Sequence, residues 1–155
     1  MSPRAAWRLE ALGFTNVYDY LAGKADWRAA GLPGEGALAD QPTAADLADA
    51  SAPTCRLDEQ LADVRARVRS SGWETCIVVN EERVVLGRFG QRALARRDHI
   101  PVEEAMAEGP STVRPNLTLA PLLERLRERK LDTALVTTSD GRLIGMIRLK
   151  DAELG

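Results

Sequence analysis

Two cysteines, Cys55 and Cys76, and one histidine, His99, are the residues whose types suit nucleophilic, redox or zinc chemistry. Their spacing matches no zinc pattern, which takes four donors at short, paired intervals. Cys76 lies in an apolar, strand-like run and Cys55 in a short extended segment. Both read as buried reduced thiols, with a disulfide or redox role as the other reading. His99 stands alone between Arg96-Arg97-Asp98 and Ile100-Pro101, in a stretch that reads as a surface link. No nucleophile–base pair emerges, so the expectation is that the protein is not an enzyme. Arg92, Arg96 and Arg97 form a basic run. It reads as the wet face of a short helix, with a phosphate or nucleic-acid contact as the alternative.

The totals narrow the partners. Asp and Glu outnumber Lys and Arg, 23 against 21, for a net charge of −2. A nucleic-acid or membrane-surface protein would carry a basic excess on one face, so neither partner is expected. No apolar run approaches the roughly 20 residues of a membrane span, and the first residues lack the apolar stretch of a signal peptide. A cytoplasmic location is the resulting expectation. With 45% apolar residues, the chain can fill an ordinary core.

An internal repeat shows which elements must position any site. Residues 54–94 align with residues 112–152 at a constant offset of 58, without a gap. The identical pairs are Thr54/Thr112, Arg56/Arg114, Leu61/Leu119, Ala62/Ala120, Arg67/Arg125, Arg69/Arg127, Thr75/Thr133, Val78/Val136 and Gly87/Gly145. The register extends upstream, where Ala44–Ala48 falls on Val102–Met106. Each unit reads as an extended segment, a helix, a hairpin and a last helix. In the second copy Leu119, Leu122, Leu123 and Leu126 recur at helical spacing. Thr118 is the expected N-cap, which puts Pro121 in the first turn, where a missing N–H costs little. In the first copy Leu61, Val64 and Val68 form the stripe, with Asp58 or Gln60 at its start. The hairpins are expected at Cys76–Val79 with Val84–Leu86, and at Ala134–Thr137 with Leu143–Ile147, the second turning at Asp140-Gly141. About 50 residues bury too little surface to fold well alone. Two copies packed sheet to sheet are expected to bury Val78, Val85, Val136 and Ile144 together, with ligand clefts at the seam.

This order of residues resembles a tandem cystathionine-β-synthase (CBS) domain pair, or Bateman module. The resemblance runs over residues 43–155 and is carried by Val102–Met106, Pro110–Val113, Thr118-Leu119, Leu135-Val136 and Asp140–Asp151. It implies an α+β fold of two βαββα motifs, 43–100 and 101–155, packed about a pseudo-two-fold axis. It also implies a homodimer that reports ligand state to a protein partner. The implied ligands are AMP, ADP, ATP or S-adenosylmethionine, and no cofactor is required. The family's nucleotide motif ends in an aspartate, here Asp151, which the resemblance makes the acceptor for both ribose hydroxyls. Its hydroxyl residue is replaced by Arg148, which pairs with a phosphate or fills the cleft. Lys150 lies in the same motif. In the first copy the aspartate position is Ala93, so at most one competent nucleoside site is expected. By the same resemblance the base falls among Ala52, Pro53, Trp73, Glu74 and Thr75 of the first copy, with Met146 of the second. The competing reading gives Asp151 a helix-capping role, leaves Arg148 a solvated charge and makes Trp73 a core or dimer contact. Function follows the same fork: a nucleotide sensor, or a ligand-free dimerisation and interaction module with filled clefts.

Residues 1–36 lie outside the repeat, with a linker at 37–42. They resemble the C-terminal part of a rhodanese-type domain, through Ala5-Ala6, Leu9, Leu12-Gly13-Phe14, Asn16-Val17-Tyr18, Gly23, Trp27 and Gly31-Leu32-Pro33. The loop with that family's catalytic cysteine would precede this segment, so it reads as a remnant reused for packing. A helix over residues 4–12 and a strand through Phe14, Val17 and Tyr18 are expected; the segment docks on the pair, docks on a dimer mate or stays loose, the dimer mate being the preferred reading.

Overall fold

The structure is a computed structural model and describes residues 2–36, 40–95 and 100–153. After two leading helices, α1 (Ser2–Ala11) and α2 (Gly23–Ala29), the repeat appears twice. The first copy runs α3 (Ala44–Leu47), β1 (Thr54–Cys55), α4 (Leu61–Ser71), β2 (Cys76–Val79), β3 (Val85–Phe89) and α5 (Gln91–Leu94). The second runs α6 (Val102–Ala105), β4 (Ala107–Glu108), β5 (Thr112–Val113), α7 (Leu119–Glu128), β6 (Thr133–Thr137), β7 (Leu143–Arg148) and α8 (Leu149–Ala152). One sheet has the order β1-β2-β3-β4 and the other β5-β6-β7. The parallel first pair and the antiparallel hairpin recur in both, as does a register shift at Val78/Val79 and at Val136/Thr137. The fold is therefore α+β, with two helix-bearing sheets related by a pseudo-two-fold axis.

Each copy's opening segment packs on the other copy. Ala44 of α3 is fully buried in the core around Leu122, Leu126 and Val136, and Val102 of α6 in the core around Leu61, Val64 and Val78. Backbone bridges Thr43–Thr118 and Gln60–Pro101 are equivalent under the repeat. So are the pairing of Ala107 with Arg88 and the bridge of Asp49 with Met146. This crossing explains the shared glycine. A Cβ on Gly145 would lie 2.8 Å from the Asp49 carbonyl oxygen, and one on Gly87 would lie 2.9 Å from that of Ala107. The Arg67/Arg125 identity has a similar cause: the two guanidinium groups donate to the Thr54 and Thr112 carbonyls at 2.7 and 3.3 Å.

The seam buries Ile77, Val79, Leu135, Leu143 and Met146 with Ala52 and Trp73, and Val85 packs against them. Val78, Val136 and Ile144 instead face the helices, so the expected inward face is correct only at Val85. All four residues of β2 are buried, so neither face carries the polar alternation that tells inside from outside. Thr118 occupies the N-cap of α7, but its side chain makes no capping bond, and the Leu119 N–H donates to the Pro42 carbonyl at 3.2 Å. The expected strand through Phe14, Val17 and Tyr18 does not form; residues 16–20 hold no regular element. The segment packs on itself instead. Tyr20 donates to Asp26 at 2.5 Å and meets Trp27 edge-on, whose indole N–H donates to the Pro33 carbonyl at 2.7 Å.

Two predictions follow from these contacts. Gly145→Ala should lower stability by about 1–3 kcal/mol in denaturant titration, because the methyl meets backbone of the crossing segment rather than a yielding side chain. At the start of α3 the Thr43 hydroxyl and backbone N–H donate to Asp46 at 2.7 and 2.8 Å, and they hold its carboxyl below the usual range. A depressed carboxyl stabilises fully above its unfolded pKa of about 4 and loses that contribution as pH falls through the folded value. Asp46→Asn should cost about 1 kcal/mol at neutral pH and flatten the acid-side decline of stability, read by unfolding between pH 5 and 2.

Candidate functional site

α4 ends at Gly72, which adopts φ 70°, and the chain then turns through Trp73-Glu74-Thr75 into β2. α7 ends before Lys130, at φ 52°, and the chain turns through Leu131-Asp132-Thr133 into β6. These turns are equivalent at the repeat offset and face each other across the pseudo-two-fold axis. The ends of β3 and β7 and the helices α5 and α8 that follow them supply the facing walls, Arg88, Gly90 and Arg92 on one side and Arg148 and Lys150 on the other. Together they enclose an open groove of about 1100 Å³. Five of its lining residues are cations, Arg88, Arg92, Lys130, Arg148 and Lys150, against the three carboxylates Glu74, Asp132 and Glu153. A groove that is net positive in a chain of net charge −2 favours an anionic occupant.

The two halves of the groove differ. In one, the Arg148 guanidinium lies 3.5 Å above the ring centroid of Trp73, whose side chain is otherwise in the core. Arg148 also donates to Asp151 Oδ2 and to the Gly72 carbonyl, both at 3.4 Å. In the other half the position equivalent to Arg148 is Gly90, that of Trp73 is Leu131 and that of Asp151 is Ala93. One half therefore holds the Asp151 carboxylate and a stacked arginine, and the other has neither at the equivalent positions.

Of the residues expected from the resemblance, Trp73, Glu74, Thr75, Arg148 and Lys150 line the groove. Asp151 stands beside it, half exposed and bonded to Arg148. Ala52 and Met146 lie beneath, packed with Trp73 in the seam core, and Pro53 is buried next to them. Sequence reasoning did not single out Arg88, Lys130, Asp132, Thr133 or Glu153. The repeat held the signal for two of them: Glu74 and Thr75, moved by the offset, fall on Asp132 and Thr133. Arg92, expected on the wet face of a short helix, lines the groove from α5, while Arg96, Arg97 and His99 lie outside the described residues. Both cysteines are buried and free; hydrogen bonding to Cys76 and burial push the Cys55 thiol up. A thiol so held is not an ionised nucleophile at neutral pH.

Two βαββα units sharing crossed segments, with a cationic groove along their seam, define a paired module. Residues 102–152 match the CBS domain, so one such domain lies there. Over about three quarters of the chain the fold matches that of CBS-pair structures. It is similar to the cytosolic domain of the Mg²⁺ channel MgtE in complex with ATP (TM-score 0.66, 21% identity, 76% of this chain and 50% of that one). It is similar to CBSX2 in complex with AMP (TM-score 0.66, 17% identity, 73% and 94%). A third similar structure is the CBS pair of protein MJ0100 with 5′-methylthioadenosine and S-adenosyl-L-methionine (TM-score 0.64, 12% identity, 74% and 94%). The chain thus spans half the length of the first and nearly all of the other two. No curated protein sequence matches the chain. Among the described residues no helix is long and apolar enough to cross a membrane.

The geometry separates groups that hold the fold from those free to act on a ligand. Trp73→Ala should destabilise by about 3–5 kcal/mol, since it empties the seam core. Asp151→Ala should stay within about 0.5 kcal/mol of the parent, because its carboxylate is largely solvated. Urea titration of both variants checks the contrast.

Proposed function

We propose that the chain is a regulatory CBS-pair module that binds an adenosine nucleotide in the groove between its copies. The observation that carries this reading is the groove itself: an excess of cations at the seam, above an indole face and next to a solvated carboxylate. In this reading Asp151 accepts the ribose hydroxyls, and Lys150 and Arg148 meet the phosphate. Trp73, Glu74 and Thr75 hold the base over the floor formed by Ala52, Pro53 and Met146. AMP, ADP, ATP and S-adenosylmethionine are the candidate ligands; the similar structures named above hold compounds of this class. Binding shifts the relative orientation of the copies only by its differential affinity for two arrangements, and a protein partner reads that shift. The module acts as a cytoplasmic homodimer. Residues 1–36, a rhodanese-type remnant, supply the mate's contact through Trp7, Phe14, Tyr18 and Leu21, which are all largely exposed in the single chain.

One observation favours a second reading. Arg148 already covers Trp73, as a filled cleft requires, and a ligand-free dimerisation module would look the same there. Thermal unfolding with each of the four candidate ligands separates the two. At a concentration one hundred times Kd, the stabilisation should be about 2.7 kcal/mol, a rise in Tm of roughly 5–10 °C. Asp151→Ala should abolish it while leaving the unliganded Tm in place. No rise at millimolar ligand overturns the sensor reading and leaves the interaction module.

A further inference from the structure

Resting on the nucleotide-binding reading of the same groove, we propose that Arg148 is a self-occupying gate that makes the Asp151 half-groove select phosphorylated nucleosides over neutral ones. The guanidinium is a flat cation lying 3.5 Å above the indole face of Trp73. A purine seeks that same face, because stacking needs an open π surface and the rest of this ring is in the core. The same guanidinium holds Asp151 Oδ2, the acceptor a ribose needs. Base and sugar are therefore blocked by one side chain.

The block is built to yield. Both polar contacts of Arg148, to Asp151 and to Gly72, sit at 3.4 Å, the outer edge of hydrogen bonding. The Arg148 side chain keeps about a quarter of its surface in solvent, and Asp151 about half. A neutral nucleoside displaces the cation and offers it no new partner. A phosphorylated one offers a bidentate acceptor within the same groove, so the gate becomes part of the site when it opens. The other half of the groove supports this division. Where the carboxylate is missing, at Ala93, the gate position is Gly90 and the stacking position Leu131. Gly90 has φ −113°, an ordinary extended value, so its backbone does not require glycine. Gate and carboxylate thus occur together and are absent together.

Calorimetric titration of adenosine, AMP, ADP and inorganic phosphate into the parent, Arg148→Ala and Arg148→Met tests this. The parent should bind AMP at least tenfold more tightly than adenosine. Removing a cation–π contact of this kind should tighten adenosine by roughly 3- to 30-fold in Arg148→Ala, while AMP weakens, so the preference collapses. Arg148→Met still covers the indole without charge; AMP should weaken there and adenosine should gain less than in Arg148→Ala. An AMP-to-adenosine ratio unchanged in folded Arg148→Ala overturns the gate and leaves the nucleotide reading intact. Adenosine binding to Arg148→Ala with no nucleotide binding to the parent overturns both the selection for phosphorylated nucleosides and the sensor reading, because Arg148 then only fills the cleft. No binding to any of the three proteins overturns both.

Discussion

Everything in this molecule depends on the crossing of its two leader segments. Asp49 exchanges backbone hydrogen bonds with Met146, at 3.0 and 3.1 Å, and so lies as a fourth edge along a sheet its own repeat does not contain. Ala107 and Glu108 do the same for Arg88 and Gly87. The hairpin turns repeat the exchange at the other side of the axis. The Leu143 N–H donates to the Arg83 carbonyl at 2.8 Å and the Val85 N–H to the Gly141 carbonyl at 3.0 Å. Backbone hydrogen bonds are insensitive to side-chain identity, so the halves can drift in sequence while their relation stays fixed. Neither half has a complete core without the other's leader, because Ala44 and Val102 each fill the opposite copy. The groove inherits its shape from that interlock.

Much of this was legible because the repeat multiplies weak signals. Either copy alone gives a short apolar stripe and an ambiguous hairpin; the offset of 58 ties them into one pattern and places the first strand, long helix and hairpin of each copy to within a few residues, but not the short leader helices α3 and α6 or the strand β4. What stayed illegible was the choice of face. Cys76–Val79 and Ala134–Val136 are apolar on both sides and buried on both sides, and period-two reasoning has nothing to act on there. The Phe14–Tyr18 segment failed for a different reason. It has strand composition, but no strand of either sheet pairs with it, and an isolated strand leaves its backbone to water. The helix α2 was missed because Gly23–Ala29 is seven residues long, too short for a stripe.

The site divides along the same line. Trp73, Glu74, Thr75, Arg148 and Lys150 come together because they sit at strand ends, where the pseudo-symmetry brings the copies face to face. Glu153 and Lys130 join them only through the fold, since neither belongs to a motif. The stacking of Arg148 on Trp73 spans 75 positions of sequence and is visible only in three dimensions.

Pseudo-symmetry also shows how the copies have specialised. Where one copy needs a left-handed residue it has glycine and the other does not: Gly141 against Arg83 in the turns, and Gly72 against Lys130 at the helix ends. A non-glycine residue in that region costs about 1 kcal/mol or more, and each copy bears one. The burden is thus split between the two copies. The groove follows the same logic. One half has Asp151 with Arg148 bonded to it; the other has Ala93 and Gly90 at those positions. A symmetric pair would offer two equal clefts and bind one ligand twice. Here the two halves differ, with Arg148 on one side and Gly90 on the other, and share a lining of five cations against three carboxylates, so a charge placed in either half changes the field felt at the other.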